Sequence, residues 1–160
     1  MRILINIFTN FPLVAALLGV LIAQGLKPFI HKLLHGKWNI ASVLSTGGMP
    51  SSHSASVMAL TTAVGLRHGL SSSLFAIAMT LGMIVMYDAA GIRRHAGEQA
   101  MAINKLEAEF EKHIESRGPS HHFHWKKSKQ LKEMLGHQPT EVLAGAILGI
   151  CIGVFTWRLW

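Results

Sequence analysis

Four apolar stretches dominate the chain and limit what it can fold into. They run from about Phe11 to Leu26, about Ser52 to Leu66, Leu74 to about Ala90, and Val142 to Trp160. Roughly 20 apolar residues carry an α-helix across the hydrocarbon core of a bilayer. The first, third and fourth stretches reach that length with their flanks, the first drawing on Ile3 to Phe8. The second is shorter and opens on polar residues, the pattern of a helix that is tilted or begins inside a cavity. Backbone in lipid finds no water to bond, so these stretches are expected as helices. The expected fold is an all-α polytopic membrane bundle of about four transmembrane helices. It forms a single domain over residues 1–160, with a polar helical insertion at about 91–138.

Composition agrees. Hydrophobic residues make up 50% of the chain and charged residues 14%, against roughly 25% charged in a soluble domain. A net charge of +7 would suggest nucleic acid in a soluble protein. Beside these apolar runs it points instead to anionic lipid or a phosphorylated substrate. No nucleic-acid partner is expected. Cys151 stands alone in an apolar run, so one chain holds no disulfide framework. Arg2 is a single charge ahead of the first span and no small-residue cleavage site follows it, so the first span is expected to be retained.

Local signals set the helix ends. Asn10 and Pro12 mark the start of the first helix and Pro139 the first turn of the last. Arg67-His68-Gly69-Leu70 is a tight connection that makes an antiparallel hairpin of helices two and three. Trp157 and Trp160 suit a membrane interface. Gly145, Gly149 and Gly153 recur every four residues, which places three glycines on one face for close helix approach. In the polar insertion, Ile103, Leu106, Phe110 and Ile114 form one stripe, expected to lie on the membrane surface or cap the bundle. Gly118-Pro119-Ser120 ends that helix, and a second short basic helix is expected at about Lys126 to Leu135. With four spans, all of the 15 Lys and Arg except Arg2, Arg67 and Arg158 fall on one side. The positive-inside rule makes that side the cytoplasm.

Ionisable groups at a membrane boundary are costly and usually functional. Here they gather at the cytoplasmic helix ends. Lys27 follows helix one; Ser51, Ser52 and His53 open helix two; Asp88 ends helix three, followed by Arg93, Arg94, His95 and Gln99; His137 and Glu141 open helix four. This set suits phosphoryl transfer. Helix N-termini offer free N–H groups and a positive partial charge to phosphate. Ser51 or Ser52 can cap a helix or donate to a phosphate oxygen. Lys27, Arg93 and Arg94 can neutralise phosphate oxygens, or serve as interfacial anchors. His137 and Glu141, four apart, share one helix face, so the carboxylate can fix one imidazole nitrogen and leave the other as base or nucleophile. Asp88, His95 and Gln99 also admit a divalent-cation reading, and His121-His122-Phe123-His124 reads as a metal-binding run or a solvated loop.

The segment Pro50-Ser51-Ser52-His53 resembles the P-S-G-H motif of the type-2 phosphatidic-acid phosphatase superfamily. His137-Gln138-Pro139-Thr140-Glu141 resembles the end of its third motif, H-x-x-x-D, with Glu141 for aspartate. With YDAAGIRRHAGEQA (Tyr87 to Ala100) and LGHQPTEVLAGAILGI (Leu135 to Ile150), the chain looks like the small divergent bacterial branch of that superfamily over nearly its whole length. The resemblance implies that His137 takes the phosphoryl group while Glu141 orients it. His53 protonates the leaving alcohol and then activates water. Lys27, Ser51 and an arginine hold the phosphate, and no metal or other cofactor is required. Three departures stand out: Ser52 replaces the motif glycine, Leu34 stands where the first motif has arginine, and Leu131 stands where an arginine precedes the nucleophile. Arg93 or Arg94 is expected to substitute, supported by Asp88, His95 and Gln99.

The expected protein is therefore a multi-pass cell-membrane hydrolase that cleaves a lipid phosphomonoester or pyrophosphate through a phosphohistidine on the cytoplasmic side, for example in phosphatidylglycerophosphate or phosphatidic acid. Its expected partners are membrane lipids, a phosphorylated lipid substrate and a second copy in a homodimer. The competing reading is a non-catalytic lipid-phosphate binder or flippase that uses the same cations without the histidines.

Overall fold

The computed structural model describes residues 8–45, 47–115, 131 and 136–160. Five α-helices account for most of them: α1 Phe11–His35, α2 Ser52–His68, α3 Ser73–Ala90, α4 Ile92–Glu115 and α5 Pro139–Leu159, with a 3-10 turn at Ile40–Leu44. No strand occurs among the described residues. Residues 3–7 of the N-terminal extension, most of the basic segment 126–135 and the His121–His124 run lie outside them.

The helix ends follow the sequence signals. Asn10 caps α1 through its side chain, which accepts from Leu13 N at 3.3 Å, and Pro12 sits in the first turn. Ser72 caps α3 by accepting from Phe75 N at 3.2 Å. The first helix runs nine residues beyond Leu26, through Pro28, to a Gly36 cap. α1 (25 residues) and α5 (21 residues) are long and apolar enough to cross a membrane, and so is the apolar part of α3. α2, with 17 residues and several hydroxyls, is the shorter and more polar member. It packs against α1, α3 and α5, and so forms the axis of the bundle.

The interior is built from small residues. Ala15, Ala23, Ala55, Ala59 and Ala63 are fully buried. Large residues such as Leu21, Ile77, Ile84, Leu143 and Phe155 face outward. This is the pattern of a bundle whose outer solvent is lipid: apolar bulk gains nothing by turning inward there, and small residues let backbones meet. The glycine ridge of α5 does this directly. A Cβ on Gly145 would strike the Ser51 carbonyl, one on Gly149 the Ala55 carbonyl, and one on Gly153 would come 2.7 Å from Thr62 Cβ. Gly19 plays the same part for α1 against Ala55. Between α2 and α3, the buried Thr61 Oγ1 lies 2.7 Å from Val57 O and 3.1 Å from Ala78 O. At the end of the bundle away from Glu141, Phe11 packs on Trp157 and Trp160, with ring centroids 5.5 and 5.9 Å apart.

α4 begins one residue after α3 ends. Its buried positions, Gly97 and Ala100, lie about 80–140° around the helix from Ile92, whereas the apolar stripe lies near Ile92 itself. Ile103, Leu106 and Phe110 of that stripe are exposed. The stripe therefore does not cap the bundle.

Candidate active site

Three backbone contacts knit the polar ends of the helices together. Ser51 N donates to Glu141 O at 3.0 Å, joining the start of α2 to the first turn of α5. His137 N donates to Ala89 O at 2.9 Å, joining the approach to α5 to the end of α3. Gly136 lies against the backbone of Arg93 and Arg94, where an added Cβ would come 2.7 Å from the Arg93 carbonyl carbon. Its φ of +88° is also a left-handed conformation that glycine adopts freely. Position 136 is thus closed to a side chain on two counts, and the following residue is held in register by it.

That following residue is His137, 3% exposed. Its Nδ1 and Glu141 Oε2 are 2.9 Å apart. The same oxygen accepts from Gln138 N at 3.2 Å, which pins the carboxylate at the start of α5. An ionised carboxylate accepts only, so Nδ1 carries the proton and Nε2 is the basic nitrogen. Nε2 is buried and has no hydrogen-bond partner among the described residues.

His53 lies in the first turn of α2 and is exposed. It is within electrostatic reach of Arg93, His137, Lys27 and Asp88. Ser51 is fully buried; its Oγ accepts from Ser54 Oγ at 3.0 Å and, at 3.4 Å, from Ser54 N. Ser52 is also buried. Arg93 Nε donates to Asp88 Oδ2 at 2.6 Å, an exposed pair across the α3–α4 junction. Arg94 Nε donates to Glu98 Oε1 at 3.1 Å, and His95 Nδ1 lies 3.1 Å from the other Glu98 oxygen. The His95 and Arg94 hydrogen bonds hold the Glu98 carboxyl below the usual carboxylate range. Gln99 is exposed. Among the described residues, no group of three or more His, Cys, Asp or Glu side chains converges as a metal site would.

Two cavities flank the His137–Glu141 pair and share no lining residue. A cleft of about 520 Å³ is lined by Arg94, Glu98, Met101, Gly136, His137 and Thr140, among others. A smaller cavity of about 110 Å³ is lined by Lys27, His31, Ser42, Ser45 and Glu141, among others. Lys27 is 2% exposed, and its Nζ donates to Ser45 O at 2.8 Å. The structure therefore brings His137 and Arg94 to one cleft, places Glu141 behind His137 in the lining of the smaller cavity with Lys27, and leaves Ser51 and Ser52 off both linings; His53 is within electrostatic reach of His137. Sequence reasoning missed Glu98, Gly136 and Met101. Glu98 had a signal, since it stands four residues from Arg94 and three from His95 on a helix. Gly136 and Met101 had none, because their role depends on tertiary contact.

The fold and site define a helical membrane protein with a carboxylate-oriented histidine at the junction of its helix ends. The chain matches the family model described as the divergent PAP2 family over residues 8–152, and it belongs to that family. It is 48% identical, over 148 residues, to the uncharacterized membrane protein YuiD of Bacillus subtilis (strain 168), a match that covers 92% of this chain and 94% of that protein. No solved structure matches it.

Proposed function

We propose that the protein is a metal-independent lipid phosphatase that works through a phosphohistidine. One observation carries the reading: His137 has Nδ1 tied to Glu141 and Nε2 buried at the cleft without a partner. A neutral imidazole oriented by a carboxylate is an activated nucleophile. Nε2 attacks phosphorus with its lone pair, and the bond from phosphorus to the lipid oxygen breaks. His53 gives that oxygen its proton. His53 then takes a proton from water, whose oxygen attacks the phosphohistidine and frees Nε2 and inorganic phosphate. Arg94, held by Glu98, and the N-terminus of α5 supply positive charge at the cleft. Arg93 sits one helix position away and adds to the field. Because Nε2 is covered, the phosphate has to part the cleft wall to reach it.

The substrate class is a lipid phosphomonoester or pyrophosphate, since the site belongs to a membrane bundle. The charge bias of the loops favours the cytoplasmic face, hence lipids made there, such as phosphatidylglycerophosphate or phosphatidic acid. The test is phosphate release from a panel of lipid phosphates by purified protein in detergent and EDTA, beside His137→Ala. Release by the wild type alone, with an acid-labile phosphoprotein trapped on the way, is the expected result. Equal release by both overturns the nucleophile. Binding without release by either supports the non-catalytic lipid-phosphate reading.

A further inference from the structure

Lys27 occupies the position at which a phosphate-binding lysine is expected, yet its surroundings suit a different task. It does not line the His137 cleft but the small cavity that it shares with Glu141. Its ammonium is almost wholly buried and is bonded to a backbone carbonyl, not turned toward the cleft. A buried ammonium needs an anion to offset its lost hydration. Glu141 is the carboxylate that interacts with it electrostatically, and Lys27 acts on Glu141 in return. Glu141 is also bonded to His137 and Gln138 N.

We propose that Lys27 is a positioning residue: from its own cavity it supplies a counter-charge to Glu141, added to the hydrogen bonds that carboxylate makes with His137 and Gln138 N, and it does not touch the phosphate. The proposal rests on the phosphatase reading for its kinetic consequences but not for its electrostatic one. Glu141 links the two cavities: it lines the small one with Lys27 and is bonded to His137, which lines the cleft. The other titratable groups around these three are His31 and His35 on α1, His53 on α2, and Asp88 with Arg93 at the α3–α4 junction.

The direction of the effect follows. Removing the cation makes protonation of Glu141 easier. The acidic limb of kcat, which needs Glu141 ionised, then moves to higher pH. A phosphate ligand behaves differently: its loss raises KM and weakens oxyanion binding, because the lost contact is with substrate.

The experiment compares wild type, Lys27→Met and Lys27→Arg in detergent, with dioctanoyl phosphatidic acid as substrate and orthovanadate as competitive probe. The expected result for Lys27→Met is a kcat lowered tenfold or more, an acidic limb moved upward, and a KM and vanadate inhibition constant within about twofold of wild type, one pH unit being tenfold in protonation. Lys27→Arg should recover much of kcat. The same profile in a His31→Gln, His35→Gln background removes the titration of those two imidazoles. A tenfold rise in KM and in the vanadate constant, with an unmoved pH profile, overturns the proposal. If the wild type proves inactive, the phosphatase reading has failed and the electrostatic one is still decided. Infrared difference spectra of the Glu141 carboxyl, assigned from Glu141→Gln, must then show its protonation at higher pH in Lys27→Met. An unmoved carboxyl signal overturns the proposal.

Discussion

Alanine in place of Gly149 and alanine in place of Gly25 should move stability in opposite directions. Both glycines lie inside helices of similar character. In a helix interior, alanine is favoured over glycine by about 0.5–1 kcal/mol, because glycine loses more backbone freedom on folding. At Gly25 nothing lies within 4 Å of an added Cβ, so Gly25→Ala should stabilise by about that amount. At Gly149 the same methyl group would overlap the Ala55 carbonyl and sit 2.9 Å from both Ala59 N and Met58 Cβ. Two of these three neighbours are backbone atoms of α2, which cannot rotate aside, so the helices must part. Overpacking of this kind costs about 1–3 kcal/mol. Set against the propensity gain, Gly149→Ala should destabilise by about 1–2 kcal/mol. Unfolding in mixed micelles with rising dodecyl sulfate, followed by tryptophan fluorescence and far-ultraviolet circular dichroism, reads both variants on one scale. A Gly149→Ala variant as stable as wild type, or two variants that shift the same way, would refute the claim that α5 packs backbone to backbone on α2.

Glu141→Gln keeps the shape of the side chain but loses its charge and lets either tautomer of His137 form, so kcat on the best lipid phosphate should fall about 10²–10⁴-fold with unchanged circular dichroism. Thr61→Val removes the hydroxyl that reaches the Ala78 carbonyl of α3, and interhelical bonds of this type are worth about 0.6–1.7 kcal/mol, which the same micelle titration should register. Spin labels at Ile103 and Leu106 of α4 should collide more with oxygen than with a water-soluble nickel chelate in liposomes, and a label at Lys105 the reverse, if the exposed stripe rests on lipid.

Much of the bundle was legible because lipid allows so few solutions. Apolar length marked α1, α3 and α5, Asn10 and Pro139 marked helix starts, and the four-residue glycine spacing marked the face of α5 that meets α2. The choice between cap and surface for α4 was open in the sequence, since periodicity shows a stripe but not what it faces. The His137–Glu141 pairing was legible from the four-residue spacing, but not its cause: His137 precedes the Gln138 cap of α5, so the capping turn and not a shared helix face brings the two together. What Lys27 faces was not legible. It depends on the loop that returns Ser45 to α1 and on the side of Glu141 from which the lysine arrives, and spacing encodes neither. Gly136 belongs to a contact between distant segments, and only the assembled chain reveals it.

The modest length of α2 has a consequence for the membrane around it. Seventeen residues rise about 25 Å along a helix axis, whereas the hydrocarbon layer is about 30 Å thick. If the His68 end reaches one interface, the Ser51 end stops about 5 Å short of the other. The polar junction is then sunk beneath the headgroup plane, in a water-filled notch. A lipid phosphate would have to descend to meet it, and a thinner bilayer would shorten the descent. For the proposed phosphatase, membrane thickness would then be a variable in its own right, set by acyl-chain length and not by any residue of the protein.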